Sequence, residues 1–475
     1  MTVPAVVIAA PASGSGKTTI ATGLIGALRT AGLRVAPFKV GPDFIDPGYH
    51  GLAAGRPGRN LDPVLTSEQL IGPLYRHGSA GADIAVVEGV MGLFDGRILP
   101  DTTGPAPGST AQVAGLLNAP VLLVVDASGH SQSIAALLHG FSTFDPKTRL
   151  GGVILNRVGS PRHEQVLRQA CELVGLPVLG AIPRAPDLVV PSRHLGLITA
   201  VEHGRRADDA VDAMSTLVAR HVDIAAVAAI ASARVEAPAW NPSVAIGDPV
   251  PGRPVVAIAS GLAFSFSYAE HTELLRAAGA EVVAFDPMND MLPSGTDGLI
   301  LPGGFPEQYT AELSANSRLR QQVRELAGYA PISAECAGMT YLVTELEGYP
   351  MCGALAGTAT FTKRLTLGYR DAVAMTDSVS HVAGDQLVGH EFHRTTVDFT
   401  TSYPPAWAFR VGENTVGDGA VDGMVHAAYL HTHPAGQPAS VRRFVAGAAR
   451  RGVSVGPRPA RTERRSGGVH SSTRA

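Results

Sequence analysis

Cysteine, surplus charge and long apolar runs are all scarce in this chain of 475 residues. Its three cysteines, Cys171, Cys336 and Cys352, contain no CxxC pair, which indicates a reducing compartment and not a disulfide framework. The formal net charge of −3 does not favour nucleic acid or an anionic membrane as a partner. No apolar stretch approaches the roughly 18 residues of a membrane-spanning helix, and the N-terminus lacks the basic region of a signal peptide. We therefore predict a cytoplasmic protein.

The length and the apolar pattern predict two large α/β domains. Short runs rich in valine and isoleucine alternate with helix-length segments, which is typical of a doubly wound parallel sheet covered on both faces. A stretch dense in proline and glycine at 231–254 predicts an exposed linker without helix or strand. The predicted domains are 1–230 and 255–448, and a disordered basic tail is predicted at 449–475. The strands predicted in the first domain are 5–10, 34–40, 84–87, 121–125, 153–155 and 178–182, with helices at 18–29, 131–138 and 163–174.

A glycine-rich loop follows the first predicted strand and leads into a helix, the context of a P-loop. It reads PASGSGKTT over residues 11–19. Small residues let backbone N–H groups surround phosphate oxygens, Lys17 would reach the β- and γ-phosphates, and the Thr18 hydroxyl would ligate Mg²⁺. The usual first glycine is replaced by Pro11, and the alternative is a glycine-rich turn with a chance GKT. The residues predicted to bind ATP are Gly14, Ser15, Gly16, Lys17, Thr18 and Thr19.

Carboxylates follow two of the predicted strands. Asp43 and Asp46 come after the strand at 34–40, and Glu88 comes after the strand at 84–87. Ligands bind at the carboxyl ends of the strands in open α/β sheets, so these acids can face the phosphates and hold a metal. For each acid alone, a helix cap or a turn is the alternative. The predicted Mg²⁺ ligands are Thr18, Asp43, Glu88 and Asp95.

The second half carries a cysteine between a predicted strand and a predicted helix. Cys336, in the sequence AECAGM, would be presented outward near a helix N-terminus, which favours the thiolate. Gly303 and Gly304 end another strand and leave backbone N–H groups free to stabilise an oxyanion. His431 and His433, in YLHTH, supply an imidazole at a strand end. A lone cysteine is more often a buried apolar residue, but this combination predicts a nucleophile.

Together these motifs resemble the a,c-diamide synthases of corrinoid biosynthesis over roughly residues 3–445. The resemblance implies a P-loop NTPase-like parallel sheet joined to a class I glutamine amidotransferase-like sheet. It implies a ligase that uses ATP, Mg²⁺ and L-glutamine to amidate the a and c acetate groups of hydrogenobyrinate or cobyrinate through acyl phosphates. The motifs that carry it are PFKVGPDFID, RNLD, VVEGVMGLFDG, LNRVGS, PGGFPE, AECAGM, LTLGYR, GHEFH and YLHTH.

The resemblance also implies roles for single residues. Cys336 looks like the glutaminase nucleophile and His431 its activating partner, with His433 as the alternative. The carboxylate that completes the triad is missing, because Thr432 follows His431 in place of the family's proline–glutamate pair, and weak glutaminase activity without substrate is expected. Asn156 looks like the nucleobase contact. The substrate-binding residues implied are Lys39, Asp43, Asp46 and Gly304.

The partners implied are a corrinoid, ATP and L-glutamine, without nucleic acid or membrane and with a homodimer left open. Arg184, Arg193 and Lys363 are candidate contacts for the polycarboxylate, with solvated surface charge as the alternative. A cobyric acid synthase shares both domains but amidates four other side chains. A partitioning or regulatory P-loop ATPase is the third interpretation, but it has no use for a cysteine turn with a late histidine. Both the metal-free and the cobalt-containing macrocycle fit the resemblance.

Overall fold

The computed structural model describes residues 2–100, 102–184, 192–193, 196–197 and 205–454. The predicted basic tail from 455 onward and the side chain of Arg193 lie outside the described residues. Across the described residues, we find no helix that combines the length and the apolar character needed to span a membrane. The chain forms an N-terminal unit, up to residue 230, and a C-terminal unit, from residue 255.

The N-terminal unit is built on a seven-stranded parallel sheet. Its strands, with two short ones beside it, are β1 (Ala5–Ala9), β2 (Val35–Val40), β3 (Arg59–Leu61), β4 (Ile84–Glu88), β5 (Val121–Asp126), β6 (Leu150–Val158), β7 (Val178–Pro183), β8 (Ser192–Arg193) and β9 (Gly196–Leu197). The order in the sheet is β3-β2-β4-β1-β5-β6-β7, and all neighbours are parallel. Every residue of β1, β2 and β4 is buried, because helices cover both faces. The predicted parallel sheet is confirmed.

Eight helices in the described residues pack on this sheet: α1 (Lys17–Thr30), α2 (Asp46–Ala54), α3 (Glu68–Gly78), α4 (Thr110–Leu117), α5 (Ile134–Thr143), α6 (Pro161–Leu173), α7 (Arg205–His221) and α8 (Ile224–Ile230). Close packing of α1 on α7 requires a small residue, since a Cβ on Gly23 would lie 2.4 Å from the Met214 carbonyl oxygen. The predicted helix at 131–138 begins later, at Ile134, because Ser131 accepts a turn hydrogen bond from the Ile134 N–H.

The predicted linker at 231–254 contains a short helix, so the prediction of a stretch without helix is wrong. The helix α9 (Pro242–Ile246) carries proline in its first turn, where the missing N–H breaks no helical hydrogen bond. The Asn241 side chain caps it by accepting a backbone hydrogen bond of 2.9 Å. Ahead of the helix, Trp240 is buried and its backbone N–H donates to the Pro73 carbonyl. This half of the segment is therefore packed on the N-terminal unit.

The C-terminal unit combines a second α/β sheet with a mostly antiparallel sheet. Its strands are β10 (Val255–Ala259), β11 (Glu281–Phe285), β12 (Thr296–Leu301), β13 (Ile332–Glu335), β14 (Glu345–Leu346), β15 (Tyr349–Pro350), β16 (Gly357–Ala374), β17 (Gln386–Phe399), β18 (Trp407–Val411), β19 (Asn414–Asp418), β20 (Ala420–Asp422) and β21 (Val425–Ala428). The order β11-β10-β12-β13-β21-β20 is parallel except at β20, which is antiparallel to β21. Among the described strands of the other sheet, only β14 and β16 pair in parallel. Its α-helices are α10 (Ala269–Ala277), α11 (Thr310–Ala315), α12 (Ser317–Ala327), α13 (Ala337–Leu342) and α14 (Pro438–Ser454). Because α14 continues to Ser454, the predicted start of the tail at 449 is wrong.

A long hairpin of β16 and β17 was not predicted from the sequence. Its residues are largely half-buried or exposed, so it lacks the apolar runs that marked the other strands. The hairpin contacts the N-terminal unit, where the Tyr369 hydroxyl donates to Asp62 Oδ2 at 2.9 Å. Tyr369 pairs with His390 across the hairpin, and His390 exchanges two backbone hydrogen bonds of 2.9 Å with His431. The hairpin thus connects the two units.

Ion pairs of Arg59, the first residue of β3, hold the two units together. Arg59 Nη1 lies 2.6 Å from Glu270 Oε1, and the other arm of the guanidinium binds Glu273. His77 Nε2 lies 2.9 Å from Glu273 Oε2. Burial opposes ionisation of Glu273, but hydrogen bonds from His77 and Arg59 lower its pKa to about 2. The side chain of Glu270 is only 2% exposed, so Arg59 provides the charge compensation that burial requires.

We expect Arg59→Met to lower the free energy of unfolding by about 3–5 kcal/mol, because Glu270 would be left buried without its cation. The double variant Arg59→Met/Glu270→Gln should recover part of that loss. Urea unfolding of each variant measures both effects. As the control, Arg34→Met breaks an exposed pair with Asp83 and should cost less than about 1 kcal/mol. Equal losses for the two single arginine variants would contradict this account.

Candidate active sites

The P-loop turns between β1 and α1 through two glycines with left-handed backbone. Gly14 has a φ of 79° and Gly16 a φ of 93°. A Cβ on Gly16 would lie 2.4 Å from the amide nitrogen of Asn156, which donates to the Ser15 carbonyl at 2.9 Å. Asn156 ends the straight part of β6 and lies against the loop. The loop therefore forms its turn between β1 and α1 although Pro11 replaces the first glycine of the usual P-loop motif.

Lys17 and Thr18 face the edge of the sheet where β4 ends. Lys17 Nζ donates to the Met91 carbonyl at 2.6 Å, and Thr18 Oγ1 donates to Glu88 Oε1 at 2.7 Å. Burial and the neighbouring Lys39 lower the pKa of Lys17. Two further predicted residues take part in the loop: the Ser15 hydroxyl donates to the Ala12 carbonyl, and half-buried Thr19 lies in the first turn of α1.

Lys39 lies between two buried carboxylates. Its Nζ is 2.6 Å from Asp46 Oδ2 and 3.0 Å from Glu88 Oε1. Burial alone would lower the pKa of Lys39, but the two carboxylates outweigh it and raise it. Burial, with Asp43 and Glu88 nearby, raises the pKa of Asp46 to about 7. The predicted residues Lys39, Asp46 and Glu88 thus form one cluster beside Thr18.

His50 belongs to this cluster and was missed from the sequence. It is fully buried on α2, and its Nε2 lies 2.6 Å from Glu88 Oε2. His50 follows Asp46 by four residues, and that spacing places both side chains on one helix face. The signal was therefore present in the sequence once the helix at Asp46 was known.

Asp43 and Asp95 take the cap and turn positions that were the alternatives to metal binding. Asp43 Oδ1 accepts from the Ile45 and Asp46 N–H groups at the start of α2, and Asp95 Oδ2 accepts from the Gly92 N–H. Within the described residues, no group of three or more His, Cys, Asp or Glu side chains is arranged to hold a metal. Mg²⁺ bound through phosphates needs only one or two protein oxygens, and the adjacent Thr18 and Glu88 oxygens fit that requirement.

Cys336 lies on a sharp turn between β13 and α13. Its φ of 48° and ψ of −101° are outside the ordinary regions, and its residue surface is 5% exposed. Burial and the charge of Glu307 raise the pKa of the thiol, so in this environment it is protonated at neutral pH. The helix after it packs closely, since a Cβ on Gly338 would lie 2.2 Å from the Leu301 carbonyl oxygen.

His431 lies against the glycine pair that ends β12. A Cβ on Gly303 would lie 2.4 Å from His431 Cε1, and one on Gly304 would lie 2.1 Å from the Ala263 carbonyl oxygen. Both glycines are therefore required by close approach. On its other side, the His431 ring is 5.3 Å from the ring of Phe44, which belongs to the N-terminal unit. Phe44 directly follows Asp43, so the segment that begins α2 packs against His431.

His433 has a different environment from His431. Its Nδ1 accepts from the Ala435 N–H at 3.2 Å and so caps the short helical turn at Pro434–Gly436. Its ring packs 4.2 Å from the ring of Tyr268, and burial lowers its pKa to about 4. This geometry favours His431 over His433 as the partner of the thiol.

A carboxylate does accompany His431, so the expectation that none would is wrong. Glu335 Oε2 lies 3.6 Å from His431 Nδ1, and Glu335 Oε1 accepts from the Thr432 hydroxyl at 2.9 Å. The sequence motif gave no sign of this contact, because Glu335 precedes Cys336 and meets His431 only through the pairing of β13 with β21.

The basic candidates for the polycarboxylate lie on the surface. Arg184 is exposed and donates to the Ser128 carbonyl at 3.2 Å. Lys363 lies where the register of the β16–β17 hairpin shifts, and its carbonyl accepts from the Arg394 side chain. Neither residue is close enough to the acid cluster to share a hydrogen bond with it in the described structure.

Family comparisons divide the chain into two matched regions. Residues 6–198 match the CobQ/CobB/MinD/ParA nucleotide binding domain. Residues 255–439 match the CobB/CobQ-like glutamine amidotransferase domain. The first region contains the P-loop and the acid cluster, and the second contains Cys336 and His431.

Curated relatives align along nearly the whole chain. Hydrogenobyrinate a,c-diamide synthase of Mycobacterium tuberculosis is 67% identical over 451 residues, covering 94% of this chain and 99% of the relative. Its namesake from Streptomyces coelicolor is 55% identical over 476 residues, with 93% and 97% covered. Cobyrinate a,c-diamide synthase of Synechococcus is 40% identical over 456 residues, again with 93% and 97% covered. With such identity over more than nine-tenths of its length, the chain belongs to the a,c-diamide synthases, a family of glutamine-dependent ligases.

Proposed function

We propose that this enzyme converts the a and c acetate carboxylates of hydrogenobyrinate into amides, with ATP as the activating reagent and glutamine as the nitrogen donor. The observation that carries the proposal is the position of Phe44. Its ring packs 5.3 Å from that of His431, while the charge of the preceding Asp43 helps to raise the pKa of Asp46 in the acid cluster beside the P-loop. Ammonia released at the thiol would therefore form next to the site where a carboxylate is activated.

The N-terminal unit activates the carboxylate. A carboxylate is a poor electrophile, and transfer of the ATP γ-phosphoryl group makes it an acyl phosphate. Lys17 would contact the β- and γ-phosphates, and the oxygens of Thr18 and Glu88 would hold Mg²⁺. When bound, Mg²⁺ supplies positive charge to the phosphate oxygens. Asp46, with a pKa of about 7, is suited to accept the proton that nitrogen loses as the amide forms.

The C-terminal unit releases the ammonia. His431 would take the proton of the Cys336 thiol as sulfur attacks the glutamine amide, and would return it to the departing nitrogen. The backbone N–H groups at Gly303 and Gly304 are suited to stabilise the oxyanion. Water then hydrolyses the thioester to glutamate. Since water also destroys acyl phosphates, release of ammonia within the same chain would favour its capture over hydrolysis.

Two observations favour the metal-free macrocycle and a cytoplasmic location. The relatives at 67% and 55% identity carry the name hydrogenobyrinate a,c-diamide synthase, whereas the cobyrinate enzyme of Synechococcus is 40% identical. All three cysteines are free thiols, which fits a reducing, ATP-containing compartment. A homodimer stays a prediction that sedimentation velocity would test.

Cys336→Ala should abolish glutamine-dependent amidation and preserve synthesis from ammonium salts, because only the release of ammonia needs the thiol. Mass spectrometry of the corrinoid product counts the amides formed from each nitrogen source. Cys171→Ala, on α6, is the matched control and should retain both activities. Loss of both activities in a folded Cys336→Ala variant would exclude this division of labour.

Lys17→Met should form no amide from either glutamine or ammonia, in contrast to Cys336→Ala, which should keep the ammonia-dependent reaction. The expected loss is about 10³-fold or more, since Lys17 is the cation assigned to the transferred phosphoryl group. The measurement is phosphate release together with amide formation. Lys147→Met removes an exposed lysine of the same unit and should change neither. Ammonia-dependent synthesis at the wild-type rate in Lys17→Met would refute the assignment.

Turnover on metal-free and cobalt-loaded macrocycle tests the proposed substrate. We expect the higher kcat/KM for hydrogenobyrinate and a product with two added amides. Four added amides would indicate the cobyric acid synthase reaction instead. A preference for the cobalt-containing macrocycle would overturn the substrate assignment while leaving the chemistry intact.

A further inference from the structure

The carboxylate of Glu335 lies beside His431 and has no role in the glutaminase steps proposed above. Glu335 ends β13, directly before Cys336, and Glu335 pairs in register with Ala428 on β21. Three residues past Ala428 the chain reaches His431. The strand pairing therefore brings the residue before the nucleophile beside the histidine that follows the neighbouring strand.

The oxygens of Glu335 are held by the residue that follows His431. Glu335 Oε1 accepts from the Thr432 hydroxyl at 2.9 Å and from the Thr432 N–H at 3.3 Å. This leaves Oε2 at 3.6 Å from His431 Nδ1, within ion-pair reach and slightly beyond a formed hydrogen bond. Catalytic hydrogen bonds are often long in unliganded enzymes and shorten in the substrate complex.

The buried imidazole of His431 needs a hydrogen-bond partner. Its side chain is fully buried, and in the described part of the chain neither ring nitrogen has a hydrogen-bond partner within 3.5 Å. A buried imidazole nitrogen without a partner is costly. Glu335 is the carboxylate that stands in salt-bridge range of this ring.

The other carboxylates around the thiol site are bound elsewhere. Asp418 accepts from the backbone N–H groups of Tyr429 and Leu430 at 3.1 and 3.0 Å. Glu391 binds the Arg370 guanidinium at 2.6 Å. Glu270 binds Arg59 at the interface of the units. Each of these three carboxylates has a structural partner, whereas Glu335 lies within ion-pair distance of His431.

We propose that Glu335 is the positioning residue of the glutaminase site and supplies the carboxylate that orients His431. By accepting from Nδ1–H, it leaves Nε2 as the nitrogen that takes the Cys336 proton. That proton passes to Nε2 as the sulfur–carbon bond forms, and then to the amide nitrogen as the carbon–nitrogen bond breaks and ammonia leaves. Glu335 stays ionised throughout and stabilises the transient imidazolium. This role rests on the proposed glutaminase chemistry.

The electrostatics of the site agree with an ionised Glu335. Burial would raise the pKa of this carboxyl, but its interaction with the nearby His431, the charge of His271 and the hydrogen bond from Thr432 hold it below its ordinary value. The carboxylate is therefore charged at neutral pH. A charge next to Nδ1 gains most at the moment when the imidazole becomes a cation.

The test compares Glu335→Gln with the wild type in glutamate release, measured with ATP and hydrogenobyrinate present. We expect kcat for glutamine to fall by about 10²-fold or more, while KM for glutamine changes little. Ammonia-dependent amidation should stay at the wild-type rate, since the N-terminal unit is unchanged. Glu335→Asp, which keeps the charge on a shorter side chain, should have an intermediate kcat. Glu325→Gln, an exposed residue of α12, is the matched control and should match the wild type.

Thr432→Val provides a second, independent variant. It retains the Glu335 charge but removes the hydroxyl that fixes it, so we expect kcat to fall by about threefold to tenfold with KM unchanged. If Glu335→Gln does not fold, Thr432→Val still tests whether Glu335 positions His431. Wild-type kcat for glutamine in folded Glu335→Gln, or in Thr432→Val, would overturn the proposal. A parallel loss of ammonia-dependent synthesis would indicate a merely structural role. If the wild type hydrolyses glutamine but leaves hydrogenobyrinate unchanged, the proposed substrate fails and the comparison of glutamate release still tests Glu335.

Discussion

The geometry of this enzyme depends on the buried contact between Arg59 and the glutamates of α10. The guanidinium comes from β3 and its partners from the C-terminal unit, so the pair fixes the position of one α/β unit against the other. The packing of Phe44 against Phe266, with ring centroids 5.0 Å apart, follows from that position. A buried ion pair adds less to the free energy of unfolding than apolar packing of the same volume. Its attraction, however, depends strictly on the distance and orientation of the two charged groups. It therefore defines orientation more than it adds strength.

Inside the N-terminal unit, charge compensation determines which acids can bind a ligand. Lys39 and His50 both contact Glu88, so this carboxylate is ionised although it is almost fully buried. Asp46 also contacts Lys39, but burial and the nearby charges of Asp43 and Glu88 outweigh that cation and raise the pKa of Asp46 to about 7. The cluster contains one acid that is firmly charged and one that exchanges a proton near neutral pH. In the proposed reaction, the charged acid would hold Mg²⁺ and the other acid would accept a proton.

Much of the fold could be predicted from the sequence, because buried parallel strands read as continuous apolar runs. The P-loop and the turn at Cys336 could be predicted for a related reason, since each concentrates its chemistry within a few adjacent residues. The hairpin of β16 and β17 could not, because half-exposed strands lack such runs. Glu335 and His50 could not be assigned either, because their partners are distant in sequence and meet them only through strand pairing and helix packing. The helix at Pro242–Ile246 was missed because proline is harmless in a first helical turn.

Through the backbone pairing of His390 with His431, the β16–β17 hairpin connects the N-terminal unit to the His431 segment. Asp62 of the N-terminal unit accepts a hydrogen bond from Tyr369, Tyr369 pairs with His390, and His390 exchanges two backbone hydrogen bonds with His431. This connection from Asp62 to His431 is rigid, because paired strands resist stretching and slipping. Any shift of Asp62 relative to the C-terminal unit would therefore reach the backbone of His431 through hydrogen-bonded neighbours.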